Sequence, residues 1–387
     1  MTGYDVLDGC AGPGGWSAAA EALGLRELGI ELDSWACATR AAAGHLTVRA
    51  DVAAFPVKHL ADRFSGVVFS PPCGTFSKAG KQEGISEMAL LHQAIEDLAA
   101  GRDTRGLLRA QCSDPRTPLV VEPLRYALAI RPEWVALEQV PAVLPLWRHM
   151  ARILRGNGYS AWAGVLNSAD YGVGQVRRRA ILIASRVRQA APPRPTHSET
   201  GGHDLAGTYT PQWRTMAETL GWGYLNRPAP TVTGGGTATG GAEPFGNASR
   251  RAMRAAMDNP GHWAWGRPAP TLSGTVGHVG GKSARGHLNL ERAEAARLQS
   301  FPDGYPFQGS KGAVALQIGN AIPPLLALHV LSAATGIPVP AGGISGTAAL
   351  EDASPTAPAD CGDQFFGGPA REFSRPVQTL EVVGGLL

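Results

Sequence analysis

The stretch Tyr4-Asp5-Val6-Leu7-Asp8-Gly9-Cys10-Ala11-Gly12-Pro13-Gly14-Gly15 reads as a short strand, a glycine-rich turn and the start of a helix that lasts to about Leu23. Four glycines let the turn's backbone come close to a ligand, and the helix start offers free N–H groups. A second strand around Leu28-Gly29-Ile30 ends in Glu31-Leu32-Asp33. An acidic residue about twenty positions after such glycines is the usual partner of ribose hydroxyls, a role open to Glu31. Asp33 is the better helix N-cap. A third strand, Leu46–Arg49, ends in Ala50-Asp51-Val52. A fourth, Gly66–Phe69, runs into Ser70-Pro71-Pro72-Cys73-Gly74-Thr75-Phe76-Ser77. Strands alternating with helices predict an α/β fold, and acidic or reactive residues at successive strand ends mark the edge where open α/β sheets bind ligands.

Pro71 and Pro72 fix φ and end the strand, so Cys73 sits on a rigid turn where a thiol can reach a ligand. Its other reading is a small buried hydrophobe. From Lys78 to about Pro118 the pattern loosens around a helical stretch, Ser86–Ala99, as expected of a lid or a surface insertion. Gly74, Gly80 and Gly84 predict movement after Cys73. A helix over Val121–Ile130 leads to the apolar strand Trp134–Leu137, which ends in Glu138-Gln139-Val140-Pro141. A glutamate at the end of a buried strand is costly unless it is paired or used. A helix near Val143–Arg155, a strand at Tyr159–Leu166 and a last strand at Ala180–Ala184 follow. Just before that strand, Gln175-Val176-Arg177-Arg178-Arg179 places Arg177 and Arg179 on one face by alternation.

From 187 to 286 regular periodicity fails. Arg227-Pro228-Ala229-Pro230-Thr231 recurs as Arg267-Pro268-Ala269-Pro270-Thr271, and Arg250, Arg251 and Arg254 share a helical face suited to phosphates. Helical order returns at Leu290–Ser300, before Phe301-Pro302-Asp303-Gly304-Tyr305. Then come Gln317-Ile318-Gly319-Asn320-Ala321-Ile322-Pro323 and an apolar helix to about Ala334. After Gly336 the composition predicts a low-complexity, largely disordered tail. The expected organisation is 1–186 with 287–336, a loop-rich domain over 187–286, and a tail over 337–387.

The 387 residues allow a sizeable core, with 44% hydrophobic residues, 50 glycines and 30 prolines. No apolar run approaches the roughly 18 residues that span a membrane, and the first residues lack a signal-peptide pattern. Five scattered cysteines without Cys-x-x-Cys argue against a disulfide framework and against zinc. An intracellular, cytoplasmic protein without a metal is expected. Net charge is +3, but Arg186–Arg285 carries eleven Lys or Arg against five Asp or Glu. That basic segment fits a polyanionic partner.

Together these pieces resemble the DNA (cytosine-5)-methyltransferases, from about Tyr4 to Ala334. The resemblance is carried by Ser-Pro-Pro-Cys with Phe-Ser-x-Ala-Gly at Ser70–Gly80, by Gln-x-Arg-x-Arg at Gln175–Arg179, and by Gln-x-Gly-Asn-Ala-x-Pro at Gln317–Pro323. The irregular stretch before Arg292-Ala293-Glu294-Ala295-Ala296-Arg297-Leu298-Gln299-Ser300-Phe301-Pro302 is similar to the family's variable target-recognition region. The chain departs from the family at Cys10-Ala11-Gly12, usually Phe-Ala-Gly, and at Glu138-Gln139-Val140, usually Glu-Asn-Val.

The resemblance implies a Rossmann-like, S-adenosylmethionine-dependent methyltransferase fold with a smaller target-recognition domain, acting as a monomer on double-stranded DNA without metal. It makes Cys73 the nucleophile, Glu138 the holder of the base edge, and Arg179 with Arg177 the group that steadies developing charge. S-adenosyl-L-methionine would lie against Cys10, Ala11, Gly12, Gly14 and Gly15, with Glu31 and Leu32, Asp51 and Val52, Pro72, Asn320 and Ala321 around it; S-adenosyl-L-homocysteine is the product. Ser77, Gln175, Arg227, Arg250, Arg251, Arg254 and Arg267 are expected at the DNA. Rival readings are an RNA-directed enzyme of the same fold, an amino-directed DNA methyltransferase, which Cys73 disfavours, and a DNA-binding regulator without turnover.

Overall fold

The computed structural model describes residues 4–77, 82–203, 207–221, 259, 263–269, 271, 290–344 and 379–381. Five strands run parallel: β1 Val6–Gly9, β2 Glu27–Glu31, β3 Thr47–Arg49, β4 Gly66–Phe69 and β5 Trp134–Gln139. Two more, β6 Ser160–Asn167 and β7 Arg178–Ser185, complete the order β3-β2-β1-β4-β5-β7-β6. Chain order reverses between β1 and β4, the crevice where doubly wound sheets take ligands. β7 lies antiparallel to both neighbours, with Glu138 opposite Ile181 and Gln139 opposite Ala180. Its N-terminal end therefore meets the C-terminal ends of β4 and β5. That reversal brings Arg177 and Arg179 to the same edge as Cys73 and Glu138.

Each central strand is apolar on both faces because both faces are covered. Val67, Phe69, Val135, Leu137, Leu182 and Ala184 join one core with the Met88–Ala99, Glu122–Ile130 and Leu144–Gly156 helices. Val6, Val68, Ala136, Ile181 and Ile183 join a second core with the Gly15–Ala22 and Pro324–Thr335 helices. The Pro324–Thr335 helix thus returns to pack beside the first helix of the chain, so two stretches far apart in sequence share one core.

A third cluster joins Met216, Leu220, Ala264 and Ala269 to Leu290, Leu298, Phe301 and Ile318. The described part of 187–286 therefore shares a core with the returning segment rather than closing on itself. Residues 337–344 also differ from the expected tail: Ile337, Val339 and Ile344 pack against the second core. Thr379–Glu381 adds an eighth strand beside β3. The helix Lys311–Asn320 was not foreseen. With its successor it forms a stretch, Lys311–Thr335, long and apolar enough to cross a membrane, yet its most apolar window is 78% buried inside the protein.

Candidate active site

Glycine-turn chemistry comes first in the chain. Gly14 caps the Gly15–Ala22 helix in the left-handed region, at φ 108. Glu31, at the end of β2, holds the turn: its Oε2 accepts from Gly12 N at 2.7 Å, and its Oε1 accepts from Leu32 N and Asp33 N, each at 2.8 Å. Asp33 is the N-cap of the Ser34–Ala42 helix through Ala36 N, as its position predicted. Asp51 Oδ1 accepts from Ala53 N at 2.9 Å. Ala11, Gly14, Gly15, Val52 and Ala321 are buried, while Cys10, Gly12 and Pro72 are partly buried. Asn320 is exposed, and Leu32 is 60% exposed, an unusual placement for a large apolar residue. Gly15 stands where a Cβ would meet the Ile322 carbonyl at 2.4 Å, so the Asn320–Ile322 loop lies directly against the turn.

Beneath the turn lies a charged network. Arg40, fully buried, donates to Glu27, Ser17 and Thr47, with the Glu27 pair at 2.9 Å. Asp8, on β1 beside it, is fully buried, and neither carboxylate oxygen has a hydrogen-bond partner among the described residues. Burial first, and then Glu27, push its carboxyl well above the usual range.

The reactive loop is fixed at its stem from two sides. Trp16 Nε1 donates to Ser70 Oγ at 2.9 Å, tying the loop to the glycine-turn helix. Gln139 Nε2 donates to the Pro71 carbonyl at 2.7 Å, and its Oε1 accepts from Val140 N at 2.6 Å. The Cys73 carbonyl accepts from Phe76 N and Ser77 N, closing a tight turn around the thiol. Gly84 packs closely on the loop. A Cβ there would stand 2.5 Å from the Phe76 ring, so glycine is needed for contact. Gly80 lies outside the described residues.

Arg179 Nε meets Glu138 Oε1 at 2.8 Å, with both side chains under one-tenth exposed. Cys73 is close enough to feel both. Burial raises the thiol's pKa most and Glu138 raises it further, while Arg179 and Arg177 pull it down. The sum is upward, so the two arginines do not outweigh burial and Glu138.

Two of the expected site residues lie deep in the protein. Gln175 was expected at the DNA; it is fully buried and donates to the Leu298 carbonyl and to Gln299 Oε1. Arg177 was expected to act on the base. Its guanidinium is 1% exposed and donates to the Gly319 and Ala321 carbonyls at 2.7 and 3.0 Å, holding the loop that carries Asn320. Alternation put Arg177 and Arg179 on one face but gave no depth, and the segments that cover Gln175 and Arg177 come more than a hundred residues later. Ser77 is partly buried and Arg267 exposed. Arg227, Arg250, Arg251 and Arg254 lie outside the described residues. Trp16, Ser70 and Gln299 had no assigned part; Gln299 sits within the quoted Arg292–Pro302 motif, which was the available signal.

A family model of C-5 cytosine-specific DNA methylase matches residues 4–96 and 106–335. The chain belongs to that family. Among curated proteins it is similar to the Type II methyltransferase M1.HphI of Haemophilus parahaemolyticus, 27% identical over 84% of this chain and 85% of that protein. It is also similar to the Type II methyltransferase M.NaeI of Lentzea aerocolonigenes, 29% identical over 84% of this chain and 73% of that one. Among solved structures, the Dnmt2 methyltransferase of S. pombe shares the fold at TM-score 0.54 and 14% identity, covering 86% of this chain and 98% of that one. Entamoeba histolytica EhMeth does so at TM-score 0.54 and 12% identity, covering 87% and 99%. In this cytosine-5 methylase, then, the edge carrying Cys73, Glu138 and Arg179 is the candidate catalytic edge.

Proposed function

We propose that the protein methylates C5 of cytosine in a specific duplex DNA sequence, using S-adenosyl-L-methionine and a covalent bond from Cys73. The observation that carries this reading is the meeting of Cys73, Glu138 and Arg179, from three strands, at one edge beside the glycine turn. The residues present fit the cofactor. Among the described residues, none beyond Gly12 and its chain neighbours has an atom within 4 Å of where a Gly12 Cβ would stand, and the nearby Leu32 is exposed. When bound there, S-adenosyl-L-methionine supplies the methyl group. Glu31, Asp51 and Asn320 would hold its polar parts.

Cytosine C5 is a poor nucleophile inside an aromatic ring. Cys73 sulfur adding to C6 breaks the aromaticity and sends electron density to C5 and N3. Glu138 holds the N3/N4 edge and delivers a proton to N3 as charge builds there. Arg179, already braced against Glu138, stabilises the O2 side. Once C5 carries its methyl group, loss of the C5 proton and departure of Cys73 restore the ring. None of this fits within a stacked duplex, so the base is flipped out, at a cost of a few kcal/mol offset by the pocket. The basic 186–285 segment, with the exposed Arg267, is the proposed DNA-facing region.

The test is methyl transfer from labelled cofactor to duplex DNA, with modified positions mapped by bisulfite sequencing. The reading predicts protected cytosines at one recurrent sequence. Modification of adenine or of RNA alone would overturn it. Cys73→Ser is expected to abolish transfer while retaining cofactor binding.

A further inference from the structure

The glycine turn is gripped from behind by a residue 292 positions away in the chain: Tyr305 Oη donates to the Pro13 carbonyl at 2.6 Å. The Tyr305 ring is itself fixed among Phe301 and Phe307, at centroid distances of 4.8 and 5.0 Å. Gly14 permits this approach. A Cβ at that position would stand 2.6 Å from Tyr305 Oη and 2.9 Å from His45 Cδ2, and φ 108 is in any case a conformation for glycine. The same returning segment also reaches the opposite wall. Gln299 Nε2 donates to the Ala321 carbonyl at 2.7 Å, in the loop that lies against Gly15. Its core residues Leu298 and Phe301 pack with Met216 and Leu220, from the irregular region before it.

We propose that Tyr305 is a positioning residue for the cofactor turn, its hydroxyl holding Pro13 so that Gly12–Gly15 is preset before S-adenosyl-L-methionine arrives. The inference rests on the cofactor reading above. A turn of four glycines is costly to order, because glycine loses more backbone freedom than any other residue. One hydrogen bond to the only proline in the turn, from a ring that cannot swing away, removes part of that cost from the binding step. Tyr305 takes no part in the Cys73, Glu138 and Arg179 contacts, so its effect belongs to cofactor affinity and not to the chemical step.

The test is Tyr305→Phe, which keeps the ring and its packing and removes one oxygen. In calorimetric titration of the full chain with S-adenosyl-L-methionine, the variant is expected to bind about five- to tenfold more weakly than wild type, the effect of one lost hydrogen bond. KM for the cofactor should rise by the same factor. The kcat at saturating cofactor and the affinity for duplex DNA without cofactor should stay within about twofold. A cofactor affinity within about twofold of wild type would overturn the proposal. So would a fall in kcat or in DNA affinity as large as the fall in cofactor affinity, because that would mark a general structural loss. Wild-type protein that binds no cofactor at all would overturn the functional reading first, and this proposal with it.

Discussion

The two halves of the strand-end edge are built on opposite terms. On the β1–β3 side, carboxylates are already engaged by backbone: Glu31 gathers three N–H groups, and Asp33 and Asp51 each take one. On the β4–β5–β7 side, charged side chains face each other across strands, and burial pushes the thiol beside them upward. The first half is already ordered by those backbone hydrogen bonds. In the second, burial and Glu138 push the Cys73 thiol upward against the pull of Arg179 and Arg177. A binding surface gains from being preset, whereas a buried thiolate beside a carboxylate is expensive to keep waiting.

The sharpest way to break this contrast is Glu138→Gln. It removes the carboxyl proposed as the proton source for N3, so methyl transfer should fall by about a hundredfold or more. The same change removes a neighbour that raises the Cys73 thiol, so alkylation of Cys73 by iodoacetamide at fixed pH should become faster. Peptide mass spectrometry assigns the site, because Cys10, Cys37 and Cys112 are also free thiols. Two activities moving in opposite directions would separate Glu138's electrostatic effect from its chemical one; slower alkylation would contradict the account of the thiol.

On the preset side, Arg40→Met leaves Glu27 buried without its cation. Urea unfolding should show a loss of about 3–5 kcal/mol, the usual result of breaking a buried pair from one end. A loss below about 1 kcal/mol would mean that the network does not support the turn above it.

A smaller effect concerns Asp8. Its folded-state pKa is raised above the ordinary 3.8, so the folded protein keeps a proton that the unfolded chain has released. Stability from this group is complete below about pH 4 and declines as pH rises toward the folded value. Asp8→Asn cannot titrate. Its melting temperature should therefore fall less between pH 5 and pH 8 than that of wild type, and an equal fall in both would show that Asp8 contributes nothing to the slope.

Much of this edge was legible in the sequence, for a physical reason. Strand ends such as Gly9–Gly15, Glu31 and Ser70–Cys73 are specified by neighbouring residues: glycines that allow a turn, prolines that end a strand, an acid where pairing stops. What stayed hidden depends on distant segments. The motif gives Gln175 and Arg177 as polar residues beside the edge, but their contacts to the stretch 298–321 appear only in the fold, and Tyr305 reads as part of a motif until Pro13 is placed beneath its hydroxyl. Gly84 shows the same limit on a smaller scale, since only the Phe76 ring reveals why a side chain is excluded there.

The central claim is a covalent bond between Cys73 and cytosine C6 during methyl transfer. Duplex DNA carrying 5-fluorocytosine at the target position tests it, because fluorine at C5 blocks the proton loss that would release the enzyme. Incubation with S-adenosyl-L-methionine, then protease digestion and mass spectrometry, should find the methylated fluoro-base joined to the peptide that contains Cys73. An adduct on a different cysteine, or no adduct from protein that converts ordinary cytosine to 5-methylcytosine, would contradict the account.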